Sequence, residues 1–218
     1  MDDAADRQHR AARSDRVPGL AGTKLQIAEA ALETLKSVGF AGASARAIAH
    51  QGGFNQALIF YHFGGVQTAL LAAFDLISNR RMQDYGPQLQ AAVSAPQLAR
   101  LARQIYDDDI ARGYVTALGE MVAGGVSDPE LGAEVAARIE PWIELVQRKL
   151  CELLEGSALL SVVAPRDLAF GIVAAYFGVD MLSHLQQDRS RADSLLDLAA
   201  RVADLADTVL NGSGRTSP

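Results

Sequence analysis

Apolar residues recur along most of this chain at steps of three and four, which is the spacing of one face of an α-helix. The first such stretch begins at Thr23, and its apolar residues share one helical face: Leu25, Ala28, Leu32 and Leu35. Thr23 with Gln26 three residues later has the form of a capping box, which satisfies free N–H groups at a helix start. Gly39 is placed to end this helix, because glycine adopts positive φ readily.

Two shorter helices are predicted next, and each follows a residue type that caps helices. Ser44 precedes a predicted helix over residues 45–50, and Asn55 precedes another over residues 56–62. The glycine pair at 52–53 supplies a tight turn between them. Two helices joined by a short turn that contains glycine have the spacing of a helix-turn-helix, whose second helix enters the major groove of DNA. Spacing alone is a weak signal, because glycine joins many helical hairpins.

Residues beyond the glycine pair at 64–65 continue in helical periodicity, broken only by short segments that contain Gly, Ser or Pro. Further helices are predicted over 66–85, 96–112, 115–126, 129–155, 165–187 and 190–210. No strand-length alternation and no repeat of about 20–50 residues is evident. The sequence therefore predicts an all-α protein.

The periodicity and its breaks divide the chain into four parts. A flexible arm is predicted over residues 1–22, and a three-helix domain with the helix-turn-helix over 23–65. A larger C-terminal helical bundle is predicted over 66–211, followed by a disordered tail over 212–218. The arm contains arginines at every third position: Arg7, Arg10, Arg13 and Arg16. It is either a solvated tail or an arm that folds along DNA and contacts phosphates or the minor groove.

The net charge of −6 does not by itself suggest nucleic-acid binding, because phosphate contacts require a basic surface. That charge is unevenly distributed. Residues 1–63 contain 7 Lys and Arg against 6 Asp and Glu, so a net of −7 falls on residues 64–218. Between residues 23 and 63 three basic residues face two acidic ones. This segment is therefore mildly basic, and a DNA-binding face there is not excluded.

The one cysteine, Cys151, excludes an intramolecular disulfide and fits a reducing cytosol. It lies in an apolar helical stretch, so we expect a small buried hydrophobe and not a reactive thiol. The longest apolar run, over residues 168–179, has about twelve residues, short of the ~20 that a membrane span needs. A cytoplasmic protein without a membrane segment is therefore expected.

Between Thr23 and about Leu71 the sequence resembles the N-terminal signature of the TetR family of transcriptional regulators. The matching segments are 27–33, 39–40, 46–49 and 55–63, and the last one ends in two aromatic residues followed by His and Phe. The resemblance implies a homodimeric, ligand-responsive regulator that binds double-stranded operator DNA and needs no cofactor. As in most of the family, we expect repression at a palindromic operator, relieved by a small hydrophobic effector.

The resemblance assigns DNA contacts to nine residues: Thr23, Lys24, Ser44, Arg46, Asn55, Gln56, Ala57, Tyr61 and His62. The first three lie at helix starts, where free N–H groups meet phosphates. Arg46 matches a position that can pair with guanine N7 and O6, Gln56 suits adenine, and Ala57 suits a thymine methyl group. Tyr61 and His62 are expected to pack against the sugar-phosphate backbone. Four apolar residues are expected to form the core of the small domain: Ile48, Phe54, Ile59 and Phe63.

Three residues depart from the family signature. Phe60 replaces a usual tyrosine and lacks its hydroxyl, Leu58 stands where a hydroxyl residue is common, and Val66 replaces a lysine that contacts phosphate. Each departure lowers the expected affinity for the DNA backbone. They support an alternative function, a helical small-molecule-binding protein with weakened or no specific DNA binding.

The C-terminal part of the chain resembles the family only in length and helical character. The last two helices are expected to form a dimer across a two-fold axis, with contacts at Ala174, Phe177, Gly178 and Met181. The middle helices are expected to enclose the effector. Its binding is expected to change the separation of the two DNA-binding domains of the dimer through the helix that begins near Val66. Candidate pocket residues are mostly aromatic: Phe74, Tyr106, Tyr114, Met121, Trp142, Phe170, Tyr176 and His184.

Other chemistry has little support in the sequence. Asp180 and His184, at i and i+4, supply two ligands where a metal site needs three or four. The three aspartates at 107–109 point in different directions on a helix and are expected to form a solvated face. No motif for a catalytic nucleophile or a phosphate loop occurs. We therefore expect neither an enzyme nor a metal site.

Deletion of residues 1–20 tests whether the arginines of the arm compensate for the departures from the signature. If they contact phosphates, the deletion lowers both the affinity for duplex DNA and the salt dependence of that affinity. Removing one phosphate contact reduces the slope of log K against log salt by about 0.9. Fluorescence-anisotropy titration of a duplex at several salt concentrations measures this slope, and an unchanged slope would contradict a role for the arm.

Overall fold

The computed structural model describes residues 20–157, 162–186 and 188–212. The predicted all-α class is confirmed, because these residues form nine helices and no strand. Residues 1–19 of the predicted arm and residues 213–218 of the predicted tail lie outside this part of the chain. The helices are α1 (Thr23–Gly42), α2 (Ala45–Gly52), α3 (Ala57–Phe63), α4 (Val66–Ala91), α5 (Ala95–Ala111), α6 (Tyr114–Ser127), α7 (Pro129–Leu153), α8 (Pro165–Gln186) and α9 (Ser190–Gly212).

These helices divide into two compact units. Within the described residues, the first unit contains residues 20–87 and 116–135, so it holds α1, α2, α3 and most of α4 and α6. The second unit contains residues 88–115 and those from 136 onward, with α5, α8, α9 and most of α7. Helices α4, α6 and α7 each contribute residues to both units. The domain boundaries derived from the sequence remain predictions.

Helix α1 begins differently from the sequence prediction. Its N-cap is Gly22, and no side chain caps the helix, so the predicted capping box between Thr23 and Gln26 is wrong. Gln26 instead uses its amide outside the helix, where Nε2 donates to the backbone oxygen of Gly52 at 3.3 Å. Gly39 interrupts the helical geometry, with φ of 70° and ψ of −179°, but α1 resumes beyond this kink and ends at Gly42, not at Gly39 as predicted. At the start of α1, Gln26 thus makes a long-range hydrogen bond to Gly52 where a local cap was predicted.

The three N-terminal helices pack around a small apolar core. Helix α1 contributes a buried stripe of small and branched side chains: Ile27, Ala28, Ala30, Ala31, Leu32 and Leu35. Ile48 of α2 and Ile59 of α3 are fully buried, which confirms both as core residues. Phe54 and Phe63, also predicted as core, are only half-buried. Burial of the apolar stripe is the main term that holds these short helices together.

Helix α4 continues to Ala91, so the break predicted at residues 86–87 is wrong. A proline inside a helix removes one hydrogen bond and crowds the preceding turn, at a cost of about 3 kcal/mol. The two residues before Pro87 are nevertheless packed inside, with Tyr85 and Gly86 both buried. Burial of these two residues in helical conformation favours continuation of α4 through Pro87.

Charged side chains join α5 to α9 in the second unit. The guanidinium of Arg103 donates to Asp107 on its own helix at 3.0 Å, and to Asp193 and Asp197 on α9 at 2.8 and 3.1 Å. The hydrogen bond to Asp107 is the main cause that raises the pKa of Arg103. Arg189, just before α9, donates to the other oxygen of Asp107 at 2.9 Å. Such a network fixes the register of the two helices more than isolated surface pairs do.

Cys151 is exposed near the end of α7, so the prediction of a small buried hydrophobe is wrong. The neighbouring residues differ in burial along this last turn: Leu150 is half-buried and Leu154 is buried. A helical residue adjacent in sequence to an apolar one points about 100° away from it, which places the thiol toward solvent.

Among the described residues, no single helix is both long and apolar enough to span a membrane. Helices α3 and α4 together reach the length and composition of a span, but their axes are bent by 70° at the junction.

Substitution Gly52→Ala is expected to destabilise the first unit. A Cβ there would lie 2.6 Å from Cδ1 of Phe54 and 2.9 Å from Cβ of Ala30, and the Ala30 methyl group cannot rotate away. Overpacking of this kind costs about 1–3 kcal/mol in unfolding free energy, measured by chemical denaturation. Gly65→Ala is the matched control, because no atom lies within 4 Å of a Cβ at that position. Equal stabilities for the two variants would contradict this packing.

Candidate functional site

The turn between α2 and α3 is built by residues with distinct backbone roles. Gly53 ends α2 in the left-handed region, with φ of 67°, and its N–H donates to the backbone oxygen of Ala49. At the start of α2, Oγ of Ser44 accepts from the N–H of Ala47 at 3.2 Å. Before α3, Oδ1 of Asn55 accepts from the N–H of Ala57 at 2.9 Å. The predicted Ser44 cap is confirmed, whereas α3 begins one residue later than predicted, with Gln56 at its N-cap and no side-chain cap there. The segment has the helix-turn-helix order.

Most of the residues predicted to contact DNA are exposed. Thr23 and His62 are half-buried, and the seven others are open to solvent: Lys24, Ser44, Arg46, Asn55, Gln56, Ala57 and Tyr61. Tyr61 is 82% exposed, and its ring meets that of His62 edge-on, with centroids 4.8 Å apart. The buried Ile48 and Ile59 lie on the other sides of the same two helices. Helices α2 and α3 thus present polar groups outward from an apolar core, while their roles as DNA contacts remain predictions.

The acidic side chains of α1 are both held by basic partners. Glu33 pairs with Lys36 at 2.6 Å, and Glu29 accepts from Nη2 of Arg80 on α4 at 2.6 Å. Because the two charges of each pair are opposite and close together, their fields largely cancel at a distance. Lys24 and Arg46 lie exposed on the same unit. Over residues 23–63 three basic residues thus face two acidic ones, and both acidic side chains are paired, although the whole chain carries −6. Sequence reasoning missed Arg80, which lies 51 residues from Glu29 and carries no local signal.

The three departures from the family signature differ in their surroundings. Phe60 is 53% exposed, so its ring faces solvent as a contact residue would, and only the hydroxyl is lacking. Leu58 and Val66 are half-buried. An apolar side chain at these two positions is stabilised by burial, whereas a polar one would be able to bind phosphate.

A second group of functional candidates lies inside the second unit. Tyr106 of α5 is 1% exposed, and its ring meets that of Tyr176 of α8 edge-on at 5.7 Å between centroids. The hydroxyl of Tyr176 donates to Oδ2 of Asp109 at 2.7 Å. Asp109 is 1% exposed, so the prediction of a solvated face over residues 107–109 is wrong for this residue. Because consecutive helical residues point in different directions, one of the three faces inward.

The other candidate pocket residues are distributed more widely. Met121 and Phe74 are buried but belong to the first unit, whereas Tyr114 and Trp142 belong to the second. Phe170 is 61% exposed on α8 and is not enclosed in the single chain. The side chain of His184 lies outside the described part of the structure. Tyr106 and Tyr176 are brought into direct ring contact, while the pocket remains a prediction.

Helices α8 and α9 present large apolar side chains to solvent. On α8 these are Leu168, Phe170, Ile172, Met181 and Leu182, and on α9 they are Leu195, Leu198, Val202 and Leu205. The α9 set repeats at steps of three and four, which forms a stripe along one face. Of the predicted dimer contacts, Ala174, Gly178 and Met181 are exposed and Phe177 is half-buried. Exposed apolar side chains of this kind are typical of protein interfaces, and the dimer contacts remain predictions.

Several solved structures are similar to this chain. The fatty acid degradation regulator FadR from Bacillus halodurans is 16% identical with a TM-score of 0.72, over 84% of this chain and 95% of its own. A TetR-family transcriptional regulator from Cytophaga hutchinsonii is 14% identical with a TM-score of 0.70, over 84% and 93%. The multidrug binding protein EbrR, complexed with imidazole, is 20% identical with a TM-score of 0.57, over 83% and 96%.

The chain has the fold of the TetR-family transcriptional regulators. No protein-family model and no curated protein matches it. The similarity extends over more than nine-tenths of each of the three solved chains and over more than four-fifths of this chain. In the TetR-type fold of this chain, α2 and α3 correspond to the predicted helix-turn-helix.

Substitution Tyr176→Phe removes the hydroxyl that donates to the buried carboxylate of Asp109. Loss of a hydrogen bond to a charged group costs about 1–3 kcal/mol, so the free energy of unfolding is expected to fall by this amount. Chemical denaturation measures it. Tyr61→Phe serves as the control, because that ring is largely exposed, and its stability is expected to stay within about 0.5 kcal/mol of the parent. A Tyr176→Phe chain as stable as the parent would contradict this role.

Proposed function

We propose that this chain is a ligand-responsive transcriptional regulator that binds palindromic operator DNA as a homodimer. The observation that carries the proposal is the exposed polar surface of α2 and α3 over a buried Ile48 and Ile59 core, within the TetR-type fold. The three similar solved proteins are named as regulators or as a drug-binding protein. The protein acts in the cytoplasm, without catalysis.

The exposed residues of α2 and those at the start of α3 recognise the bases. Arg46 offers a planar donor pair that matches guanine N7 and O6, and Gln56 offers a donor and an acceptor that match adenine. Ala57, beside Gln56, presents a methyl group to thymine. A bidentate pair of this kind discriminates against the wrong base by about 1–3 kcal/mol.

The residues around these base-contacting positions bind the sugar-phosphate backbone of the DNA. Lys24 and Ser44 lie at the starts of α1 and α2, where exposed N–H groups and a positive dipole end favour phosphate. Tyr61 and His62 close α3 with two adjoining rings. Phosphate contacts set the orientation of the domain and supply affinity that does not depend on sequence.

Dimerisation places two such domains on one duplex. The exposed stripe on α9 and the apolar residues of α8 form the self-complementary surface that a two-fold dimer requires. Two copies read two half-sites, which explains why a palindrome is expected.

The effector is a small hydrophobic molecule that binds in the second unit near Tyr106 and Tyr176. FadR is named as a regulator of fatty acid degradation and EbrR as a multidrug binding protein complexed with imidazole, so small-molecule binding is named for a protein of this fold. The Tyr176 hydroxyl and Asp109 supply polar groups beside aromatic rings, a common composition for a ligand site. Effector binding releases the operator, and the protein acts as a repressor.

A binding protein without specific DNA recognition is the second candidate function. The half-buried Leu58 and Val66 favour it, because they replace two positions of backbone contact.

Arg46→Ala tests the first candidate against the second. The parent chain is incubated with a library of random duplexes at two salt concentrations, and bound duplexes are sequenced. We expect a palindrome for the parent, and for Arg46→Ala a loss of about 1–3 kcal/mol in binding free energy with relaxed preference at the guanine that it contacts. Lys36→Ala is the control, because Lys36 is held by Glu33. Enrichment of no sequence by the parent would favour the second candidate.

Val202→Glu tests the dimer. It places a charge in the exposed apolar stripe of α9, and an unpaired charge buried in an interface costs several kcal/mol. Thr208→Glu introduces the same residue at an exposed position of α9 outside the stripe. Light scattering after size-exclusion chromatography is expected to give dimer mass for the parent and for Thr208→Glu, and monomer mass for Val202→Glu. Monomer mass for all three would contradict the dimer.

A further inference from the structure

Helix α6 is tied to the end of α1 by one carboxylate. Gly39 leaves helical geometry, and the N–H of the next residue, Phe40, donates to Oε2 of Glu120 at 2.7 Å. The contact is half-buried and joins residues 80 apart in sequence. Hydrogen bonds to an ionised acceptor are short and strong, and an amide left without a partner in such a place is destabilising.

Two glycines allow α6 to come this close. A Cβ at Gly39 would lie 2.6 Å from Oε2 of Glu120, and a Cβ at Gly124 would lie 2.7 Å from Cδ1 of the Phe40 ring. Glu120 and Gly124 are four residues apart, so they lie on the same face of α6. The contact therefore combines a hydrogen bond with close packing on the adjacent helical turn.

The contact lies at the entrance to the proposed reading helices. Phe40 also turns the chain, since its backbone oxygen accepts from the N–H of Ala43 at 3.1 Å. The next residue, Ser44, caps α2, and Arg46 follows within the first turn of that helix. The position of Phe40 thus sets where α2 begins.

The same helix has its first residues in the other unit. Tyr114 and Val115 of α6 are buried and belong to the second unit, whereas the residues from Thr116 onward belong to the first. A displacement at the start of α6 is carried along a hydrogen-bonded helix to Glu120. A second link joins α1 to α4, through the ion pair between Glu29 and Arg80. This pair is partly exposed, and exposed ion pairs contribute little to stability.

We infer that Glu120 is a positioning residue for DNA recognition, which couples α6 to the start of α2 through the N–H of Phe40. The inference rests on the proposed function. The Glu120 carboxylate holds α2 in its DNA-binding placement, and a shift of α6 moves that placement. Coupling of two sites is reciprocal, so DNA bound at α2 and α3 also restrains α6.

Three variants separate the hydrogen bond from charge and from general stability. Glu120→Ala removes the acceptor, Glu120→Gln removes the charge but keeps an acceptor oxygen, and Glu33→Ala removes an exposed glutamate of the same unit. Affinity is measured for a duplex selected by the parent chain. We expect about a tenfold loss for Glu120→Ala, in the range of typical coupling, and less than about a threefold change for the other two.

Amide hydrogen exchange supplies a readout that general destabilisation does not move. In the parent and in Glu120→Gln, adding the duplex is expected to slow exchange over residues 114–119 of α6. In Glu120→Ala this protection is expected to disappear, while protection over residues 45–62 remains at saturating duplex.

Gly124→Ala is the second variant, for use where Glu120→Ala does not fold. It presses a Cβ against the Phe40 ring without changing the carboxylate, and it is also expected to lower affinity. If the parent binds no duplex specifically, the proposed function fails and this inference fails with it. If the parent binds and Glu120→Ala matches it in affinity and in α6 protection, this inference alone is overturned.

Discussion

Close packing between α1 and the α2–α3 turn is the constraint on which the proposed DNA-binding surface of α2 and α3 depends. Gly52 leaves no room for a side chain beside Ala30, and Gly53 reverses the chain in the left-handed region. Gln26 then links α1 to this turn through the backbone oxygen of Gly52. Because the turn is fixed from both sides, α3 leaves it in one direction only. The placement of the exposed residues at the start of α3 therefore depends on this turn as well as on their own hydrogen bond, from the N–H of Ala57 to Asn55.

Charge is distributed unevenly, so an acidic chain exposes basic side chains on its first two helices. The two carboxylates of α1 are each held by a basic side chain, whereas Lys24 and Arg46 are exposed. The excess of acidic residues falls beyond residue 63. Some of those acidic residues make structural contacts. Three aspartates form ion pairs with Arg103: Asp107, Asp193 and Asp197. Glu120 accepts a hydrogen bond from the N–H of Phe40. Net charge alone therefore does not describe the surface of α1 and α2.

Periodicity predicted the helices well, because burial of one apolar face repeats every three or four residues and is visible locally. Ser44 was predictable as a cap for the same reason, because it bonds to the N–H three residues on. Asn55 bonds to the N–H of Ala57, but Gln56 and not Asn55 is the N-cap of α3. Contacts between distant segments left no such signal. Gln26 was interpreted as part of a local cap but bonds to Gly52, and Asp109 was interpreted as solvated but is buried beside Tyr176. Glu120 was not predicted at all, because its partner is a backbone N–H 80 residues away.

A structure of the full chain bound to a selected duplex tests the central claim most directly. We expect α3 in the major groove, with Arg46 and Gln56 within hydrogen-bond distance of base edges and Tyr61 against the sugar-phosphate backbone. We also expect two copies related by a two-fold axis, joined through α8 and α9. A duplex seated on another surface, or held only through phosphates, would contradict the assignment of α2 and α3 as the reading helices.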